Sequence, residues 1–293
     1  MGVVAPGGPV DPSRLATGVA ALERLGFRVR VGAAAAERRG FFAGSDRTRL
    51  ADLQRMLDDP SVRAVFCARG GYGTQRIVPL VDFAALRSAP KLVIGYSDAT
   101  ALLLPAMRVA GSAVHGPMVA DDIARGLSDA SSARLLRLLG DPAYRFEDEL
   151  PVCVRPGRAS GRLMGGCLSV LASTLGTGSA PDTRGAILFL EDVNEHAYRL
   201  DRLLLQLRQA GALDGVAGVV FGTLDTCAAH DGVSPLDVVR EHFADSPYPV
   251  AFGLAAGHSA RAANVENLAL PFGVLVELDA DGGRLRACEP AVA

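Results

Sequence analysis

The segment Val93-Ile94-Gly95-Tyr96-Ser97-Asp98-Ala99-Thr100 runs from an apolar strand pattern straight into a helical one, so Ser97 falls at a strand-to-helix corner. Gly95 and Ala99, two positions to either side, are small enough to permit a strained turn that exposes a hydroxyl beside helix N-terminal N–H groups. A serine there also caps a helix well, and spacing alone leaves that reading open. As a nucleophile the hydroxyl needs a base, and the base needs a third group to orient it. The chain offers five histidines: His115, His196, His230, His242 and His258. His258 follows Gly253-Leu254-Ala255-Ala256-Gly257, a small-residue approach suited to a side chain that projects into a cleft. Glu191 directly follows the apolar run 186–190 and so stands at a strand's carboxyl end, where α/β sites gather, although such an acid can also cap the next helix. Ala68-Arg69-Gly70-Gly71-Tyr72-Gly73 follows another apolar strand; its glycines would let backbone N–H groups face an anion, or would merely make a tight turn. It is not a dinucleotide fingerprint. Glu191, Glu195 and His196 lack a second histidine at helical spacing, so no metal or other cofactor is expected.

The elements that must position these groups alternate in the first 110 or so residues as strand and helix, the pattern of a parallel sheet. Strands are expected at 3–5, 27–31, 64–68 and 91–95, with helices opened by Asp11-Pro12 and by Ser45-Asp46. The pattern loosens between about 140 and 160, where an inter-domain connection is expected. Beyond it come helices at 167–175 and 197–209, strands at 186–190 and 218–222, and a hairpin of 273–278 with 284–288 around Asp281-Gly282-Gly283. No internal repeat is visible.

Thirty Lys and Arg against 32 Asp and Glu give a net charge of −2, which argues against nucleic acid or an anionic membrane as partner. Five scattered cysteines without a Cys-x-x-Cys pair argue against a disulfide framework or zinc knuckle. The first residues lack the basic and apolar regions of a secretory signal, and no run of about 20 apolar residues occurs, so a cytoplasmic location and no membrane span are expected. At 293 residues with 49% hydrophobic residues, the chain has the length of about two globular domains.

Taken in order, Ala5-Pro6-Gly7-Gly8-Pro9, Phe42-Ala43-Gly44-Ser45-Asp46, Ala68 to Gly73, Gly95 to Thr100 and His115-Gly116-Pro117-Met118 resemble the LD-carboxypeptidases, also called muramoyltetrapeptide carboxypeptidases. Leu163-Met164-Gly165-Gly166, Phe189-Leu190-Glu191-Asp192, Tyr198 to Arg202, Gly257-His258 and Leu270 to Gly273 extend the resemblance over essentially the whole chain. It implies a serine peptidase with Ser97 as nucleophile, Glu191 as orienting carboxylate and His258 as general base. The N–H groups of Gly71 and Asp98 would form the oxyanion hole, with Gly70, Tyr72, His115 and Gly116 binding substrate. The implied fold is α/β: an N-terminal flavodoxin- or amidotransferase-like parallel-sheet domain (1–145) joined to a smaller strand-rich C-terminal domain (160–293). The implied substrate is a muropeptide stem, L-Ala-γ-D-Glu-diamino acid-D-Ala, which loses its terminal D-Ala in cell-wall recycling; a homodimer without metal is implied too. A branch of the same fold cleaves peptide–nucleotide antibiotics, but a chain with no tryptophan and 5% aromatic residues offers little to stack on adenine. A silent muropeptide-binding protein is the alternative of another class, against which the retention of Ser97, Glu191 and His258 argues.

Overall fold

The computed structural model describes residues 1–111, 113–224, 226–260 and 263–290. The chain divides into two compact units, Met1–Leu135 with Arg261–Leu270, and Leu136–Ala260 with Pro271–Ala293. Chain therefore returns to the first unit after the second is largely built.

Within the first unit five strands run parallel in the spatial order Arg30–Val31, Gly2–Val4, Ala64–Cys67, Leu92–Gly95, Ala113–His115. In chain order this is 2-1-3-4-5, the flavodoxin-like winding, whose switch point lies between Gly2–Val4 and Ala64–Cys67. Both faces are covered, and Ala64–Cys67 is buried at every residue, which is why these strands read as apolar runs without alternation. The helix Pro12–Arg24 starts where Asp11 accepts from the amides of Ser13 and Arg14, and Asp46–Asp58 starts at Ser45, which accepts from Thr48. Thr100–Ala110 ends at Gly111 in the left-handed region. The strand expected over 27–31 is reduced to Arg30–Val31, an exposed edge pair whose arginine gives it little to bury.

The second unit is the strand-rich one and about as long as the first. Arg158–Cys167, Ala186–Glu191, Gly218–Phe221 and Val250–Phe252 are its parallel centre, and antiparallel strands flank it. Leu275–Asp279, Arg284–Ala287 and Glu147–Glu149 lie on one side, and Val152–Arg155 lies on the other. Residues 147–155, expected as a connection, thus form two edge strands of this sheet; they are short and half exposed, so their pattern carries little apolar signal. No helix among the described residues is long and apolar enough to cross a membrane.

Candidate active site

In the first unit Ser97 sits where Leu92–Gly95 ends and the helical segment begins, with φ of 61°, in the left-handed region that a non-glycine residue rarely occupies. The local sequence permits this turn. A Cβ on Gly95 would meet Cys67 Cβ at 2.9 Å and Ala99 Cβ at 3.0 Å, so both small neighbours of Ser97 are required by close approach. The glycine loop comes equally near: a Cβ on Gly70 would stand 2.8 Å from Ser97 Oγ. Gly71, exposed and at φ of 96°, packs against Gly8 of the first loop, whose amide donates to Gly70 O at 2.9 Å. The loops that follow the two strands at the switch point are therefore joined to each other and to the serine corner.

The side chain of Asp98 is also engaged. Its buried carboxylate accepts from Thr74 Oγ1 at 2.6 Å, Thr74 N at 2.9 Å and Gly73 N at 3.3 Å, tying the far end of the glycine loop to the residue after Ser97. Buried Arg49 donates to the carbonyls of Pro6 and Gly73 and pairs with Asp46. An Asp in the first turn of a helix reads in sequence as a partner of the helix dipole, so nothing local signals these tertiary bonds.

Of the four expected substrate-binding positions, Gly70 adjoins Ser97 and Tyr72 projects from the loop, 52% exposed. His115 is fully buried, its ring 5.6 Å from that of Tyr96. It is the last residue of a strand buried along its whole length. Gly116, also buried, donates to Gly95 O at 3.1 Å. Phe41, Phe42 and Tyr72 form a cluster that the low aromatic content did not announce, with ring centroids 4.4 to 5.8 Å apart and the Arg76 guanidinium 5.3 Å from the Phe42 centroid.

In the second unit Glu191 ends its strand with no exposure, and its Oε2 lies 2.6 Å from His258 Nδ1. The same oxygen accepts from the His258 amide at 3.0 Å. That backbone approach requires glycine at 257, where φ is 112° and a Cβ would fall 2.7 Å from Glu191 Oε2. Thr223, absent from the sequence reading, fixes the loop by donating its hydroxyl to His258 O at 2.9 Å. Next to this pair, Asp192 accepts from Ser169 N at 2.8 Å and Val193 N at 2.8 Å. Burial raises its carboxyl above the ordinary carboxylate value, and burial with the nearby Glu191 and Asp192 pushes the Cys167 thiol well up, leaving it un-ionised at neutral pH. His258 is 15% exposed, and because Nδ1 faces the carboxylate, proton exchange with a reactant would run through Nε2.

A strained serine at the carboxyl end of one parallel strand and a histidine held by a buried strand-end glutamate are the parts used by serine-dependent acyl hydrolases of the α/β class. The chain belongs to the LD-carboxypeptidase family: residues 1–116 match its N-terminal domain and residues 160–278 its C-terminal domain. It is 38% identical, over 93% of its length and 86% of the relative's, to a probable murein peptide carboxypeptidase of Bacillus subtilis (strain 168). It is 33% identical to the murein tetrapeptide carboxypeptidase of Pseudomonas aeruginosa, with 97% and 94% of the two chains covered. Among solved structures, the muramoyltetrapeptide carboxypeptidase from Oxalobacter formigenes superposes with a TM-score of 0.87 at 30% identity, covering 98% of this chain and 97% of that one. The microcin C7 self-immunity protein MccF superposes with a TM-score of 0.89 at 22% identity, over 100% and 96% of the two chains, a likeness of fold alone.

Proposed function

We propose that this protein is a serine-type LD-carboxypeptidase that removes the terminal D-Ala from the tetrapeptide stems of muropeptides, with Ser97, Glu191 and His258 acting as a catalytic triad. The observation that carries the reading is the His258–Glu191 contact at 2.6 Å, joined to the left-handed φ of Ser97 and to relatives named for murein peptides. Ser97 Oγ attacks the carbonyl carbon of the amide between the diamino acid and D-Ala while His258 takes the serine proton. The resulting oxyanion is held by the N–H groups of Gly71 and Asp98. The C–N bond then breaks, His258 gives its proton to the departing D-Ala amine, and an acyl ester remains on Ser97. Water, giving its proton to His258, attacks that ester; the acyl C–Oγ bond breaks, and His258 returns the proton to Ser97 Oγ, releasing a tripeptide. Glu191 orients the imidazole and stabilises its cation. Gly70 and Tyr72 line the substrate's path, whereas His115 and Gly116 support the serine corner from the interior. The two domains implied by the resemblance, 1–145 and 160–293, supply the nucleophile and the Glu–His pair respectively. A homodimer in the cytoplasm is the expected form.

The test is incubation of the purified protein in chelator with the free tetrapeptide, following D-Ala by mass spectrometry beside Ser97→Ala. Release by the wild type alone is expected; release by both proteins, or by neither, contradicts the reading. The exposed rings of Phe41 and Tyr72 favour a second reading, a peptidase acting on a peptide–nucleotide amide, which an aminoacyl-adenylate analogue in the same assay would reveal.

A further inference from the structure

Between the strand ending at His115 and the helix Asp129–Gly140, the chain makes a π-type turn, Val119–Ile123, closed by Ile123 N donating to Met118 O at 3.1 Å. Such turns are rare in helical segments and recur at functional sites. This one holds two neighbours. Ala120 N donates to Ala68 O at 2.8 Å, the carbonyl at which the glycine loop begins. The carboxylate of Asp122, without exposure, accepts from Tyr96 Oη at 3.1 Å, Met118 N at 3.0 Å and Arg125 Nη2 at 2.9 Å. Tyr96 immediately precedes Ser97 and is itself 1% exposed. The turn is seated firmly, since a Cβ on Gly18 of the first helix would lie 2.0 Å from Val119 O.

Burying a phenol and a carboxylate together is costly, and a phenylalanine over an aliphatic residue would fill the same space without that cost. What the polar pair adds is a fixed position for the residue before Ser97. An extended Tyr96, at φ of −153°, is locked by its hydroxyl on one side of the strained corner, and the helix that begins at Thr100 holds the other. We propose that Asp122 is a positioning residue for the reaction at Ser97: through Tyr96 it holds the strained corner, while its own turn holds the glycine loop through Ala68. Nucleophile and Gly71 N–H are thereby kept in one register. This rests on the reading of Ser97 as the nucleophile.

The experiment measures how fast Ser97 reacts with a fluorophosphonate, in which the Oγ–P bond forms, the P–F bond breaks, and fluoride and the serine proton leave. Modification is read by intact mass, alongside kcat and KM for D-Ala release. Tyr96→Phe is expected to slow labelling and kcat by about tenfold each with KM unchanged, and Asp122→Asn to slow both further. A merely structural role would lower the melting temperature and leave the labelling rate of the folded protein untouched. Wild-type labelling and kcat in Tyr96→Phe would overturn the proposal, and that variant decides the matter even if Asp122→Asn does not fold. Failure of the wild type to label at Ser97 would instead remove the reading on which it rests, a result visible without either variant.

Discussion

His258 Nδ1 and Glu191 Oε2 lie 2.6 Å apart, and the same carboxylate oxygen also receives the backbone amide of His258 at 3.0 Å. One buried oxygen thus holds both the ring and the main chain of the proposed base and orients the imidazole. Glu191→Gln keeps the shape and removes the charge that stabilises the imidazolium. It is expected to lower kcat by about a thousandfold or more while the protein stays folded, measured by D-Ala release and thermal unfolding. A variant within tenfold of wild type would remove Glu191 from the mechanism.

Gly257→Ala places a methyl group 2.7 Å from Glu191 Oε2 at a φ of 112°. Backbone strain of about 1–3 kcal/mol is expected in urea unfolding, together with loss of most activity, because the loop must withdraw His258 from Glu191. Ala at 257 with unchanged stability and turnover would mean that the approach is not tight in solution.

Asp98→Asn retains the side chain's size but weakens its hold on Thr74, whose hydroxyl and amide now donate to a carboxylate at 2.6 and 2.9 Å. The glycine loop loses its tie to the residue after Ser97. The expected result is a kcat reduced by about ten- to a hundredfold with a smaller change in KM, since an oxyanion donor displaced by a fraction of an ångström matters most in the transition state. A change confined to KM would assign Asp98 to substrate binding instead.

Asp122 gives the stability a pH signature. Burial pushes its carboxyl up from 3.8 to about 6, with Asp121 adding to the rise, and the Met118 amide, Arg125 and Tyr96 opposing it. The ring of His115 lies beside Tyr96, and Arg14 of the first helix faces Asp121. A raised folded-state value means that the folded protein holds the proton more tightly than the unfolded chain. That stabilisation is complete below about pH 4 and is lost as pH rises through about 6, a change of about 3 kcal/mol. Urea unfolding between pH 4 and 7 should therefore show a flatter pH dependence for Asp122→Asn than for the wild type. Parallel curves would contradict the assignment.

The serine corner, the glycine loop, the strand-end glutamate and the loop histidine were legible in the sequence because each follows an apolar run and depends on small neighbours, a local signal. The parallel winding was legible for the same reason. What the sequence hid was tertiary or marginal. Nothing near Asp98 announces Thr74, nothing near Tyr96 announces Asp122, and Thr223 sits in no motif, yet each ties a reactive loop to a distant segment. His115, which the resemblance puts at the site, ends a fully buried strand, a burial that its glycine- and proline-flanked turn does not announce. The strands Glu147–Glu149 and Val152–Arg155 were concealed because edge strands of three and four residues with half-exposed patterns look like loop.

The central claim, that Ser97, Glu191 and His258 act as one unit, is tested most directly by the kinetics of D-Ala release for Ser97→Ala, His258→Ala and the double variant. Members of a triad fail together, so the account predicts that the double variant is no slower than the slower single one. Losses that multiply would show two independent contributions and contradict the shared mechanism.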